Sequence, residues 1–116
     1  MSYPTCLFCK IVGGTIPATI VHQDDHVIAF EDINPQAPTH VLVIPRTHIA
    51  SLDTLGDGDH ETVGRVLHRA AEIARSRGLM PDGYRVVLNC GPAAGQTVYH
   101  IHAHLLGGRG FGWPPG

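Results

Sequence analysis

Three histidines at alternate positions, His100, His102 and His104, are separated by Ile101 and Ala103 and followed by Leu105 and Leu106. On a strand, a period of two turns the three imidazoles to one face and Ile101, Ala103 and Leu105 to the other, whereas a helix would scatter them around its axis. Neighbouring rings on such a face stand about 7 Å apart. Three rings in register gain nothing by packing and repel one another when charged. A face of this kind either binds a metal or does acid, base or nucleophile chemistry on an anion.

Other residue types capable of chemistry lie elsewhere in the chain. Cys6-x-x-Cys9 is by itself a weak zinc signal, and no βαβ pattern around it supports a thioredoxin-like role. Asp32 precedes Asn34-Pro35, where a carboxylate serves either a turn or a ligand. The loop Cys90-Gly-Pro-Ala-Ala-Gly95 brings backbone N–H groups within reach of a phosphate or merely joins two strands. Nine histidines in 116 residues are the compositional anomaly.

A net charge of −2 carries no basic excess, so duplex nucleic acid and acidic membrane surfaces are poor partners. No basic segment followed by a long apolar run opens the chain, and Val41 to Ile44, its longest apolar run, is far too short to span a bilayer. The expectation is a cytoplasmic protein with its three cysteines reduced.

The elements that must position these residues follow from periodicity. Leu7 to Val12 reads as one or two helical turns stopped by Gly13-Gly14. Thr19 to His22 and Val27 to Glu31 bracket a polar turn and read as a hairpin. Asn34 to Pro38 is a loop, and His40 to Pro45 is a strand buried on both faces, with His40 at its mouth. Asp59 is placed to cap a long helix over about His60 to Arg77, with Val63, Val66, Leu67, Ala70, Ala71 and Ala74 as its apolar stripe and Gly78 as its stop. Tyr84 to Asn89 is a further strand, and the histidine strand starts near Thr97. Short connections favour antiparallel pairing, so the class is α+β, a single domain over residues 1–116. Trp113-Pro-Pro-Gly116 either docks or frays.

The stretch His100-x-His102-x-His104 resembles the signature of the histidine triad (HIT) family of nucleotide hydrolases and transferases. Asp32-Ile-Asn-Pro-Gln-Ala-Pro-Thr-His40, the strand Val41 to Pro45, Asn89, Gly95-Gln-Thr-Val-Tyr99 and Gly107-Gly-Arg … Trp113-Pro-Pro-Gly116 extend the likeness to the Hint branch over essentially the whole chain. The resemblance implies an antiparallel sheet of about five strands, one long helix, a short N-terminal helix and a homodimer whose sheets join into one. It implies hydrolysis of nucleoside 5′-phosphoramidates, adenosine ones best, with His102 as the nucleophile that forms a nucleotidyl-histidine. His104 and His40 match phosphate-side histidines. Asp32 matches the ribose-binding carboxylate, Ile33 and Phe8 walls of the base pocket, and Asn89, Gly95, Gln96 and Thr97 the phosphate loop. Thr97 keeps the hydroxyl of the commoner serine.

In many bacterial members, Cys6 and Cys9 are matched by a pair that holds a structural zinc together with histidines at the positions of His48 and His100. The resemblance therefore implies a closed Cys₂His₂ site that takes no part in catalysis. Residues Arg109 to Gly116, Trp113 among them, are expected near the partner's active site, where they tune substrate choice. Rival activities are a nucleotide-binding regulatory module with little turnover and a dinucleoside polyphosphate hydrolase. Retention of all three histidines favours turnover, and Gln96-Thr97 with the Trp-Pro-Pro-Gly ending favours the phosphoramidate branch.

Overall fold

The computed structural model describes residues 5–116. Helix α1 (Leu7–Val12) is followed by strands β1 (Ile20–Gln23), β2 (Val27–Glu31) and β3 (Thr39–Pro45), helix α2 (His60–Ser76), and strands β4 (Tyr84–Val87) and β5 (Ala103–Gly107). The five strands form one antiparallel sheet in the order β1-β2-β3-β5-β4.

All seven residues of β3 are buried, because each face of the sheet is covered by a different element. On one face Val41 and Val43 join Ala103 and Leu105 against Val66, Ala70, Ile73 and Ala74 of α2. On the other, Ile28, Phe30, Leu42 and Ile44 pack under Phe8 and Ile11 of α1. Pairing of Phe30 with Leu42 and of Leu42 with His104 makes one cross-strand row on this second face. Strand alternation thus sets His104, and His40 two residues before Leu42, on the side away from the long helix.

The long helix ends as its sequence dictates. Gly78 adopts φ 66°, its N–H reaches Arg75 O, and the N–H of Leu79 reaches Ala74 O, which satisfies two of the last carbonyls. Its start differs from expectation. Asp59 Oδ2 accepts from Gly56 N at 2.9 Å instead of from the first helical turn, since a short 3₁₀ turn (Asp57–Asp59) runs directly into α2. The buried stripe is Val66, Ala70, Ile73 and Ala74, while Leu67 is 42% exposed. The helix therefore sits rotated from the expected stripe, toward a strict i, i+4, i+7, i+8 line.

The histidine segment also departs from a regular strand. β5 begins only at Ala103, and Val98 to His100 is bent. The main-chain N–H of Ile101 is tied to Ile49 O at 2.7 Å, outside the sheet ladder. His100 is therefore not in one row with His102 and His104; it lies against Cys6, Cys9 and His48.

Candidate active site

A pocket of about 350 Å³ opens on the α1 side of the sheet, within the size range of small-molecule sites. Phe8 and Ile11 of α1, Phe30 and Leu42 of the sheet, and Ile33 at its exposed mouth make an apolar wall, and Asp32, Thr97, His102 and His104 supply the polar groups. Apolar walls with a few convergent polar groups suit a flat heterocycle attached to a polar, charged remainder.

His102 is 8% exposed and held on three sides. Phe8 stands edge-on at 5.0 Å, His104 lies at 4.9 Å between centroids, and Nδ1 is 2.8 Å from His100 O. A carbonyl oxygen only accepts, so Nδ1 carries the hydrogen and Nε2 keeps its lone pair. Burial lowers the His102 pKa below its ordinary value, partly opposed by that hydrogen bond and by Asp32, so the ring is neutral near pH 7. A neutral imidazole with a fixed lone pair is a competent nucleophile.

His104 is pushed down to about 4, by burial first and by His102 and His40 after it. It too is neutral near pH 7, a hydrogen-bonding group without charge. His40, 5% exposed, stands behind it and does not line the pocket. His40 Nε2 lies 2.9 Å from His104 Nδ1 and 3.3 Å from Asp32 Oδ2. Asp32 also accepts the Asn34 N–H at 2.8 Å, so one carboxylate braces both the loop after β2 and the histidine pair.

A second cluster lies on the other side of His100. Ligand atoms of Cys6, Cys9, His48 and His100 all fall within 4.8 Å of one another. Cys9 Sγ is 3.3 Å from His48 Nδ1 and 3.5 Å from His100 Nδ1, and Cys6 Sγ is 3.5 Å from His100 Nδ1. Zinc–sulfur bonds near 2.3 Å and zinc–nitrogen bonds near 2.0–2.1 Å at the tetrahedral angle give an S···N edge of about 3.5 Å. The donor set and its spacing therefore fit a tetrahedral metal. His100 Nε2 donates to Pro45 O at 2.8 Å, which leaves the Nδ1 lone pair facing the thiols. Burial lowers the pKa of both His48 and His100, which keeps them in the ligating form. The group Asp32, His40 and His104 also satisfies simple metal spacing, but there His40 Nε2 is already engaged by His104 Nδ1 at 2.9 Å and by Asp32 Oδ2 at 3.3 Å.

The remaining sequence candidates fall in three places. Thr97 lines the pocket. Gln96 is buried and its amide is committed to the loop itself: Oε1 accepts from Gly91 N at 3.0 Å, and Nε2 donates to Ala50 O at 2.9 Å and Val98 O at 3.1 Å. Gly95 adopts φ 96°, and a Cβ there would stand 4.0 Å from Asn89 Nδ2, but neither of these two residues lines the pocket. Trp113, 85% exposed, does not line the pocket of its own chain. Arg85 donates to Gly112 O, and the Arg85 and Arg109 guanidinium groups lie 5.2 and 4.3 Å from the Phe111 ring, which holds the tail against β4. Sequence reasoning named as site residues neither Ile11, Phe30 and Leu42 of the wall nor Ile16, Pro17 and Ala18, which also line the pocket. The apolar triplet following Gly13-Gly14 was the available signal.

The sequence profile of the family described as HIT domain matches residues 13–111. A purine nucleoside phosphoramidase of Escherichia coli K12 is 48% identical over 106 residues, 91% of this chain and 89% of that protein. A 14 kDa zinc-binding protein of Zea mays is 50% identical over 112 residues, 95% of this chain and 87% of its own. The crystal structure of a HIT family hydrolase from Legionella pneumophila superposes with a TM-score of 0.95 at 54% identity, covering 97% of this chain and all of that one (100%).

Proposed function

The chain belongs to the HIT family, and from that premise we propose that it is a hydrolase of purine nucleoside 5′-phosphoramidates, adenosine ones best, acting through a nucleotidyl intermediate on His102. The observation that carries this reading is the 2.8 Å bond from His102 Nδ1 to His100 O, which leaves one nitrogen lone pair available beside a pocket of nucleoside size. Phe8 and Ile33 flank the base, and Asp32 accepts from the ribose hydroxyls. His102 Nε2 attacks the α-phosphorus, forming a P–N bond to the ring as the bond to the leaving amine breaks. That amine departs with the proton carried by the substrate nitrogen, because a neutral His104 supplies a hydrogen bond and not an acidic charge. Thr97 and His104 donate to the phosphoryl oxygens, where negative charge accumulates. Water then cleaves the nucleotidyl-histidine, releases the monophosphate and restores the ring.

Zinc, held by Cys6, Cys9, His48 and His100, would tie α1 to the segment after β3 and to the approach of the catalytic strand, a structural service with no open ligand position. Zinc binding by a relative of 50% identity supports this assignment. We further assign the working form as a homodimer whose sheets join, β4 being a sheet edge in the described residues, with the Trp113 tail of each copy near the other's pocket. No helix among the described residues is long and apolar enough to cross a membrane, and we place the reaction in the cytoplasm. The test is hydrolysis of adenosine 5′-phosphoramidate beside a diadenosine polyphosphate. Faster release of adenosine monophosphate from the phosphoramidate is expected, and preference for the polyphosphate would replace this reading.

A further inference from the structure

A neutral imidazole presents either an N–H or a lone pair at a given nitrogen. At His104 Nε2 that choice decides whether the ring attracts or repels a phosphoryl oxygen. The shared contact with His40 Nε2, at 2.9 Å from His104 Nδ1, holds one proton, and its ownership fixes both rings. On the far side of His40, Nδ1 accepts the main-chain N–H of Gln36 at 3.0 Å. An amide N–H can only donate, so His40 Nδ1 is the lone pair and the proton sits on Nε2, where Asp32 Oδ2 at 3.3 Å also receives it. His40 Nε2 therefore donates to His104 Nδ1, and His104 is left with N–H at Nε2.

Gln36 is itself held in place. Arg109 Nε donates to Gln36 O at 2.9 Å, and Gln36 Nε2 donates to Asn34 O at 3.0 Å. Arg109 is fixed in turn by a 2.9 Å bond to Gly110 O and by the Phe111 ring at 4.3 Å from its guanidinium. A continuous path of directed contacts thus runs from the C-terminal segment to a ring of the pocket.

We propose that Arg109 and the Gln36 main chain are positioning residues that set the donor direction of the His40–His104 pair, so that the C-terminal segment acts on the chemistry from outside the pocket. The proposal rests on the assignment of His104 as donor to the phosphoryl oxygens. Once the Gln36 N–H is withdrawn, only Asp32 Oδ2 still favours the proton on His40 Nε2, and a second arrangement becomes populated in which His40 Nδ1 carries the proton, His40 Nε2 accepts from His104 Nδ1, and a lone pair on His104 Nε2 faces the phosphoryl group.

The test pairs nitrogen NMR of ¹⁵N-histidine-labelled, nucleotide-free protein, which reports the tautomer of His104, with steady-state hydrolysis of adenosine 5′-phosphoramidate. Arg109→Met keeps an apolar stem at an exposed position and removes the donor. It is expected to mix the His104 tautomers and lower kcat about tenfold, the scale of one net hydrogen bond, with KM within about twofold. Arg109→Lys, which retains a donor, recovers most of that loss. Gln36→Pro removes the N–H and reproduces the defect, whereas Gln36→Ala keeps the N–H, loses only the side-chain bond to Asn34 O, and stays closer to the wild-type tautomer than Gln36→Pro does. Should the proline variant not fold, Arg109→Met decides alone. A pure Nε2–H tautomer and wild-type kcat in Arg109→Met, or a defect confined to KM, overturns the proposal. Absent hydrolysis by the wild type would instead remove the proposed function, and the NMR result would still judge the positioning.

Discussion

Neutral His104 makes the fold sensitive to mild acid, by an amount the structure sets. An unfolded imidazole binds a proton near 6.5, whereas His104 in the fold does so near 4 because burial and the neighbouring His102 and His40 oppose its charge. The unfolded state therefore takes up the proton first. The contribution is fully present above pH 6.5 and is lost as pH falls through the window down to about 4. At about 1.4 kcal/mol per pH unit, the full loss is on the order of 3 kcal/mol, and roughly 2 kcal/mol of it falls between pH 7 and pH 5. The perturbation is His104→Gln, whose amide can still accept from His40 Nε2 and donate into the pocket but does not titrate. Urea unfolding of wild type and variant at pH 7 and pH 5 gives the comparison, since every other titrating group is common to both chains. Wild type is expected to lose about 2 kcal/mol more than the variant over that interval. Parallel losses in the two proteins would refute the claim that burial holds this ring neutral.

Three further outcomes test the proposed nucleophile, zinc site and dimer. His102→Ala should abolish turnover while nucleotide affinity by calorimetry stays within about tenfold, since a nucleophile acts chiefly in the transition state; activity within a few-fold of wild type removes His102 from that role. Purified protein should hold close to one zinc per chain, and Cys6→Ser should lower metal content and melting temperature together, measured by emission spectroscopy and thermal unfolding; a metal-free preparation of full stability contradicts the site. Deleting residues 113–116 should leave the fold intact and the proposed dimer assembled by light scattering, and change the preference among leaving amines; an unchanged preference argues against a tail role in substrate choice.

Much of the fold was legible because its signals are local. The stretch His40 to Pro45 reads as a strand buried on both faces because Val41 to Ile44 is continuously apolar, and all of it lies in the buried strand β3; Gly78 marks the helix end by the positive φ it adopts. Local signals failed where tertiary contacts decide. Rotation of α2 toward Ile73 depends on the surface of β3 and β5 beneath it, and the bend at 98–100 depends on Gln96 and Ile49, neither of which marks the sequence as non-strand. Regular alternation would have lined up three equivalent imidazoles. The bend instead gives His100 to the thiols and leaves His102 and His104 in the pocket. Gln96 could be singled out from the sequence, but its commitment to three backbone groups could not. Gln36 gave no signal, since its contact with His40 is made by the main chain, which every residue type shares.

The most direct measurement of the central claim is a rapid-quench reaction with adenosine 5′-phosphoramidate followed by mass spectrometry of the digested chain. An adenylyl group, acid-labile and lost on longer incubation, is expected on the peptide containing His102 and is expected to be absent in His102→Ala. Rapid hydrolysis by wild type with no adduct on any histidine, or with the adduct on His104, would contradict the claim.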